Sequence, residues 1–333
     1  MKLKDKKLLF LGTSAASVSM VKYAKKEGAY VIVTDNLRAT PLSAKFYANE
    51  YADISTYDIE KLYEYALNKK IDGVFCGVSE NNLLNVYKLC KLLNLPCYFT
   101  EEQWELCENK ENFKALCKKF NVPIPLGYTI DMVNKNLIQY PVIVKPVDSS
   151  AGKGITICFS DNELLNAYKI AKQESKTNKA LIEQYICGDE ITAVYTIKDK
   201  NVSLSLVRDR YPSLDHENVT SQFDASVAPS IYYEIFLKTA NEPLIQLLKG
   251  IKSSVATVFF QGIVSNNKVY IFECGYRMNG LCDFYNIELY DFLVTGDIVD
   301  QLEYTSEGLH DANHNLDKFY VALKIAEMIN KGW

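Results

Sequence analysis

The sequence predicts a mixed chain, an α/β unit followed by α+β segments, on three observations. Residues 7 to 100 alternate apolar, β-branched runs with amphipathic ones, which is the pattern of a parallel α/β unit. Between Tyr140 and Ile157 two short apolar runs flank a loop of small and polar residues containing Gly152 and Gly154, which reads as a hairpin. From residue 255 to 274 two longer apolar runs meet at Asn266-Asn267, a second hairpin with a tight turn.

In chain order, Lys7–Leu11 reads as a strand, Ala15–Glu27 as a helix and Tyr30–Thr34 as a strand. A helix over Ile59–Lys69 leads to a strand at Gly73–Cys76 and a helix from Asn81 to Leu93, together a Rossmann-like unit. Its first turn, GTSAAS, has one glycine, so the GxGxxG fingerprint is missing and Asp35 alone does not make an NAD site. Gly12–Ser14 and Gly77–Asn82 fall at strand C-termini, where open sheets bind ligands, and are candidates for substrate contact.

Residues 101–139 read as helical, broken at Val122-Pro123-Ile124-Pro125, with a helix that begins within Asn109–Phe113 and ends near Asn121. Val142–Val144 reads as a buried strand closed by Lys145 and Pro146, then comes the loop Asp148–Gly154 and a strand Ile155–Phe159. A lysine at a strand end and N–H groups in the loop suit a polyphosphate, and an ordinary hairpin with an exposed lysine fits the same residues. It is not a Walker loop, because the required Gly and Ser or Thr are replaced by Val147 and Gly154. Further on, Asn162–Ser175 reads as a helix, and Ala180–Ile186, Ile191–Ile197 and residues 202–209 as strands. Ala240–Val255 and the amphipathic Leu316–Asn330 read as helices.

The bulk properties exclude several classes. At 333 residues the chain is long enough for two or three cores. A net charge of −4 argues against a nucleic-acid surface. No stretch approaches 18 apolar residues, so no membrane span is expected. The basic start is followed only by Leu8–Leu11 before Gly12, which suits a first strand better than a signal peptide. Nine scattered cysteines without a CxxC pair suit a reducing, cytoplasmic setting.

Several features then line up in order. Lys110 opens a helix that ends in the V-P-I-P turn, and Lys145 ends a strand 35 positions later. The glycine loop follows, then Glu183-Gln184-Tyr185-Ile186 and Gly188-Asp189-Glu190. A strand carrying Gln261 comes last, with Glu273 twelve positions on and Arg277 after it. This ordered set resembles the ATP-grasp superfamily, especially its carbamoyl-phosphate-synthase-like and amino-acid-ligase-like branches. The N-terminal half is similar to the domain that precedes the ATP-grasp module in those enzymes.

The resemblance implies a Rossmann-like N-terminal domain over 1–105 and a two-lobed ATP-grasp domain. The first lobe would span 106–186 with a lid at 148–154, and the second 187–333 with a metal site and a C-terminal helix. Lys110 and Lys145 would bind the α- and β-phosphates of ATP, and Ser149, Ser150, Gly152 and Gly154 would belong to the lid that closes over them. Glu183, Gln184, Tyr185 and Ile186 would form the hinge strand whose backbone reads adenine, and Glu190 would bind the ribose hydroxyls. For Glu183 and Glu190 the plain alternative is a pair of solvated strand-end carboxylates. Gln261 and Glu273 would hold magnesium. Arg277, with Lys145, would stabilise the transferring phosphoryl group. Family members usually carry E-x-N-x-R where this chain has Glu273-Cys274-Gly275-Tyr276-Arg277, so Gly275 replaces an expected metal-binding Asn. Nearby Asn279 is a candidate to help.

The implied activity is ATP-dependent, magnesium-dependent joining of a small carboxylate to an amine through an acyl phosphate. Carboxyphosphate chemistry on bicarbonate and a catalytically degenerate ATP-binding protein are the alternatives. Partners would be small molecules, neither nucleic acid nor membrane, and similar proteins dimerise through the N-terminal domain. Arg208 and Arg210 alternate on one strand, as a pair holding an anionic substrate or as a solvated face. His310 and His314 have zinc spacing but lie in a polar loop, and His216 reads as exposed. Kinase and G-x-S-x-G motifs are missing.

Overall fold

The computed structural model describes residues 3–77, 79–148, 153–212, 223–253 and 255–277. The strand β1 (Lys7–Leu11) is buried along its last three residues, on both faces, as a strand covered by helices on each side must be. It pairs in parallel with β2 (Tyr30–Thr34) and β4 (Gly73–Phe75), and β3 (Glu50–Ala52) adds outside β2. The order β3-β2-β1-β4 is that of one half of a doubly wound sheet. A 3-10 turn (Ala15–Ser17) leads into α1 (Val18–Lys26), and α2 (Ala44–Tyr47), α3 (Ile59–Lys69) and α4 (Glu80–Leu93) complete the connections. Asp35 fixes the first turn by accepting from the Thr13 and Leu37 N–H groups. The buried Lys45 ammonium ties down the loop after β2 through the Asp35 and Leu37 carbonyls and Asp53, each at 2.7 Å.

Next come α5 (Glu101–Glu108), closed by a Thr100–Gln103 capping box, and α6 (Lys110–Lys119). The Asn109 side chain caps α6 by accepting from the Glu111 and Asn112 N–H groups. The helical expectation for residues 101–139 fails beyond the proline turn. Gly127–Tyr128 is instead a strand (β5) paired with β8, and Ile130–Lys135 is a 3-10 segment stopped by left-handed Asn136. The physical reason is an open sheet edge, which recruits the chain at Leu126 to Tyr128 more strongly than local propensity makes helix.

The second sheet is antiparallel, in the order β5-β8-β6-β7, from β6 (Val142–Pro146), β7 (Thr156–Cys158) and β8 (Ala180–Gln184). Helix α7 (Asp161–Glu174) lays Leu164, Ala167 and Ala171 against Val142, Val144 and Ile182. The strand β8 ends at Gln184, two residues short of the expected Ile186.

The third sheet runs β11-β10-β9-β12-β13, from β9 (Asp189–Lys198), β10 (Asn201–Pro212), β11 (Phe223–Val227), β12 (Val255–Ser265) and β13 (Lys268–Gly275). Asn266 and Asn267 both adopt left-handed φ, 50° and 57°, as a two-residue turn with the twist of the flanking strands requires. The helix expected over Ala240–Val255 starts earlier and stops sooner. A short α8 (Tyr233–Phe236) runs through a π turn into α9 (Glu242–Gly250), and left-handed Lys252 closes it before β12.

Two contacts set the site. On one face of the third sheet Phe260 stacks on Phe113 of α6 at 6.2 Å, and the edge strand β13 donates from Ile271 N–H to the Pro123 carbonyl at 2.8 Å. On the other face Val194, Leu206 and Phe259 join Phe10, Met20 and Val21 of the N-terminal unit in one cluster. The expected helix Leu316–Asn330, and His216, Asn279, His310 and His314, lie outside the described residues.

Candidate active site

Because side chains alternate across a strand, register partners share a face, and the third sheet presents successive rungs toward the N-terminal unit. One rung is apolar: Leu206, Val194, Phe259 and Gly275. It carries the packing against Phe10 and Met20. The next rung is polar: Arg208, Thr192, Gln261 and Glu273. Beyond it Arg210 sits opposite Glu190. So Gln261 and Glu273 do converge as direct cross-strand partners, and Arg208 and Arg210 share their face rather than a solvated one. Both arginines are buried, at 2% and 6% exposure.

The Arg210 guanidinium pairs with Glu190 at 3.1 Å. Burial pushes the Glu190 carboxyl up, Arg210 opposes that, and the negative charge of Glu273 adds to it. The alternative of a solvated Glu190 is thereby corrected, since a half-buried carboxylate feels both neighbours. Carboxylates crowding one another beside an amide oxygen are a hard-oxygen donor set of the kind magnesium takes, and a divalent cation would relieve the repulsion. Among the described residues no cluster of three His, Cys, Asp or Glu side chains appears, so the set is Gln261 and Glu273 with Glu190 close by.

The lysine side of the site is built on α6, β6 and β8. Lys110 takes the first position of α6, and its N–H donates to the Val147 carbonyl at 3.2 Å, which brings it beside the end of β6. Lys145 lies at the end of β6 and is buried. Its ammonium meets Glu183 Oε2 at 2.6 Å, while Lys114, one turn after Lys110, meets Oε1 at 3.0 Å. Lys114 also donates to the Ile271 carbonyl of β13 at 3.4 Å. The alternative of a solvated Glu183 is thus set aside: it is 3% exposed and joins two buried lysines. Burial alone would raise its carboxyl, but Lys145 and Lys114 outweigh that and hold it below the usual range. Burial pushes the Lys114 ammonium down to about 8, with Glu183 opposing and Lys145 reinforcing.

In the hinge, the Gln184 and Tyr185 N–H groups donate to the Leu126 and Pro141 carbonyls, so these two donors are committed within the protein. Ile186 is buried beside them. Of the loop, Asp148 anchors one foot by accepting from the Lys176 and Thr177 N–H groups. At the other foot Gly154 has φ +71°, and a Cβ there would come within 2.9 Å of Pro146. Ser149, Ser150 and Gly152 lie outside the described residues. At the end of β13 the Arg277 guanidinium lies over the Phe259 ring, 4.8 Å from its centroid.

Three contributors escaped sequence reading: Lys114, Thr192 and Phe259. Lys114 had one available signal, its i+4 spacing from Lys110. Thr192 and Phe259 sit in runs that read only as buried strand.

Residues 109–270 match the family model of the carbamoyl-phosphate synthase L chain ATP-binding domain, a span that includes Lys110 to Gln261 and stops before Glu273 and Arg277. The carbamoyl phosphate synthase large chain of Clostridium botulinum (strain Langeland) is 27% identical over 205 residues, covering 56% of this chain and 19% of that one. The match thus spans about a fifth of the curated relative's length. Among solved structures, the biotin carboxylase of Campylobacter jejuni in complex with β,γ-ATP superposes with a TM-score of 0.72 at 20% identity, over 90% of this chain and 72% of that one. The N5-carboxyaminoimidazole synthetase of Staphylococcus aureus complexed with ADP gives 0.69 at 19% identity, over 90% and 80%. Residues 109–270 thus match the ATP-binding domain of the carbamoyl-phosphate synthase L chain, and the chain shares its fold with these solved structures.

Proposed function

We propose that this protein is an ATP-dependent carboxylate–amine ligase. The observation that carries the reading is the Lys114–Glu183–Lys145 bridge, which links Lys110's helix to Lys145's strand and touches β13, the strand that bears Glu273 and leads to Arg277. In this reading Lys110 and Lys145 neutralise the nucleotide phosphates, and the segment Glu183 to Ile186 seats the base. Glu190 faces the ribose, and Ser149, Ser150, Gly152 and Gly154 belong to the loop that covers the phosphates. Gln261 and Glu273 hold magnesium, which when bound shields the phosphate charge. Residues 1–105, 106–186 and 187–333 act as the three units.

The substrate carboxylate oxygen attacks the γ-phosphorus of ATP, a new P–O bond forms, and ADP leaves. Arg277 meets the charge that spreads over the transferring group. The amine nitrogen then attacks the acyl carbon, the C–O bond to phosphate breaks, phosphate departs, and the amine proton passes to solvent. No protein nucleophile is needed, and the side chains act by positioning and charge. Among the described residues no helix is long and apolar enough to cross a membrane, and the eight described cysteines are free thiols, which supports a cytosolic setting. Dimerisation through the N-terminal unit belongs to the same proposal and is checked by light scattering.

The test is titration of ATP with and without magnesium, followed by phosphate release against a panel of carboxylates and amines. Magnesium-dependent binding with release stimulated by a particular pair supports the ligase, and absent nucleotide binding sinks it. A second reading is carboxyphosphate formation from bicarbonate, favoured by the carbamoyl-phosphate synthase family match. Release stimulated by bicarbonate alone selects it. Nucleotide binding without release under any condition selects a non-catalytic role.

A further inference from the structure

We infer that Phe259 is a positioning residue for Arg277, and that residue 275 is glycine because the Phe259 ring occupies the space its side chain would need. The catalytic role of Arg277 rests on the reading above, whereas the geometry stands independently. Phe259 of β12 and Gly275 of β13 are direct register partners. A Cβ built on Gly275 would overlap the ring atoms Cε1 and Cζ of Phe259. The backbone at Gly275 does not have a left-handed φ, so space alone demands glycine there.

The ring is fixed from behind. Phe259 is 4% exposed and belongs to the cluster that joins Val194 and Leu206 to Phe10, Met20 and Val21 of the N-terminal unit. In front, the Arg277 guanidinium lies 4.8 Å from the ring centroid, within the range of cation–π attraction. An arginine on a long stem has many rotamers, and a seat locked into a core removes that freedom before any ligand arrives. Phe259 and Gly275 form the rung next to the Gln261–Glu273 pair, so the seat on Phe259 holds the guanidinium one rung from that pair. A larger side chain at 275 would displace the ring and unseat Arg277, which couples the two positions.

The experiment uses the full chain in three measurements. The first is the side-chain Nε–Hε resonance of Arg277, assigned by its loss in Arg277→Lys. It should be shifted upfield by the ring in wild type and in Phe259→Tyr, and should return to the ordinary arginine position in Phe259→Leu. A resonance unmoved by Phe259→Leu overturns the seat. The second is steady-state phosphate release. Phe259→Leu should lower kcat about five- to thirtyfold, the worth of a partly desolvated cation–π contact, with ATP affinity within about twofold and recovery in Phe259→Tyr. A change confined to melting temperature or ATP affinity makes the ring packing only and overturns the proposal. Absence of turnover in wild type would defeat the ligase reading, while the resonance still decides the seat. The third is thermal melting, where Gly275→Ala should lower Tm strongly in wild type and weakly in the Phe259→Leu background. Additive losses overturn the space argument.

Discussion

Glu183→Gln keeps the shape of the side chain and removes its charge, so two buried ammonium groups that lie 3.0 and 2.6 Å from a carboxylate would face a neutral amide. Breaking a buried ion pair by removing one partner costs about 3–5 kcal/mol. Lys114 limits the damage, because it can lose its proton. Its ammonium is already pushed down to about 8, so at pH 7 deprotonation costs only about 1.4 kcal/mol, one pKa unit. The expected loss at pH 7 is therefore near the low end, about 3 kcal/mol, a large share of the roughly 5–15 kcal/mol that holds a typical domain. At pH 9 wild-type Lys114 is itself largely neutral and the difference should shrink. The assay is urea unfolding followed by circular dichroism at both pH values, with Lys114→Met added. That second change should recover part of the loss by removing one of the stranded cations. A cost below about 1 kcal/mol, or losses of the double variant that simply add, would refute the electrostatic account of the bridge.

Two further outcomes follow from the same geometry. The Lys114 ammonium has a folded value of about 8 against 10.5 for the free side chain, so between those limits the unfolded chain holds more protons. Stability should therefore rise with pH across about 8 to 10.5 in wild type relative to Lys114→Met, by up to about 3 kcal/mol, and parallel pH curves for the two proteins would show that Lys114 is not buried as a charge. Lys110→Ala should weaken ATP binding about ten- to a hundredfold, the worth of one charge-assisted contact; calorimetry that finds equal affinity removes Lys110 from the site.

The elements that the sequence made plain are those with a local cause. Asn109 places the start of α6 because its short side chain can satisfy the orphan N–H groups of the next turn. Asn266-Asn267 places a hairpin turn because asparagine tolerates positive φ. The register of that turn alone would set Gln261 opposite Phe272, and the bulge between Gln261 and Gly262 shifts the pairing by one and brings Glu273 opposite Gln261. What could not be read locally depended on partners distant in the chain. Gly127–Tyr128 is a strand only because β8 offers an edge 56 residues on, at Glu183. Glu183 and Lys114 have the composition of a solvated surface, and only the folding of α6 onto β13 and β8 puts them inside. The substitution of Gly275 for asparagine was visible as a gap in a pattern. Its cause was a phenylalanine sixteen positions earlier, hidden in an ordinary strand.

The alternation of rungs on the third sheet divides the chain into parts with very different tolerance for insertions and deletions. Lengthening the Asp199-Lys200 or Asn266-Asn267 turns adds residues beyond the ends of the strands and leaves every rung in place. The bulge at Ser205 can absorb a deletion earlier in β10, whereas deleting Val207 would turn the rest of the strand over, so that Asp209 takes the place of Arg208 and both guanidiniums leave the cleft. Length variation among this protein's close relatives should therefore collect at those turns. A strand indel would invert the chemistry of the cleft in a single step, without a single substitution.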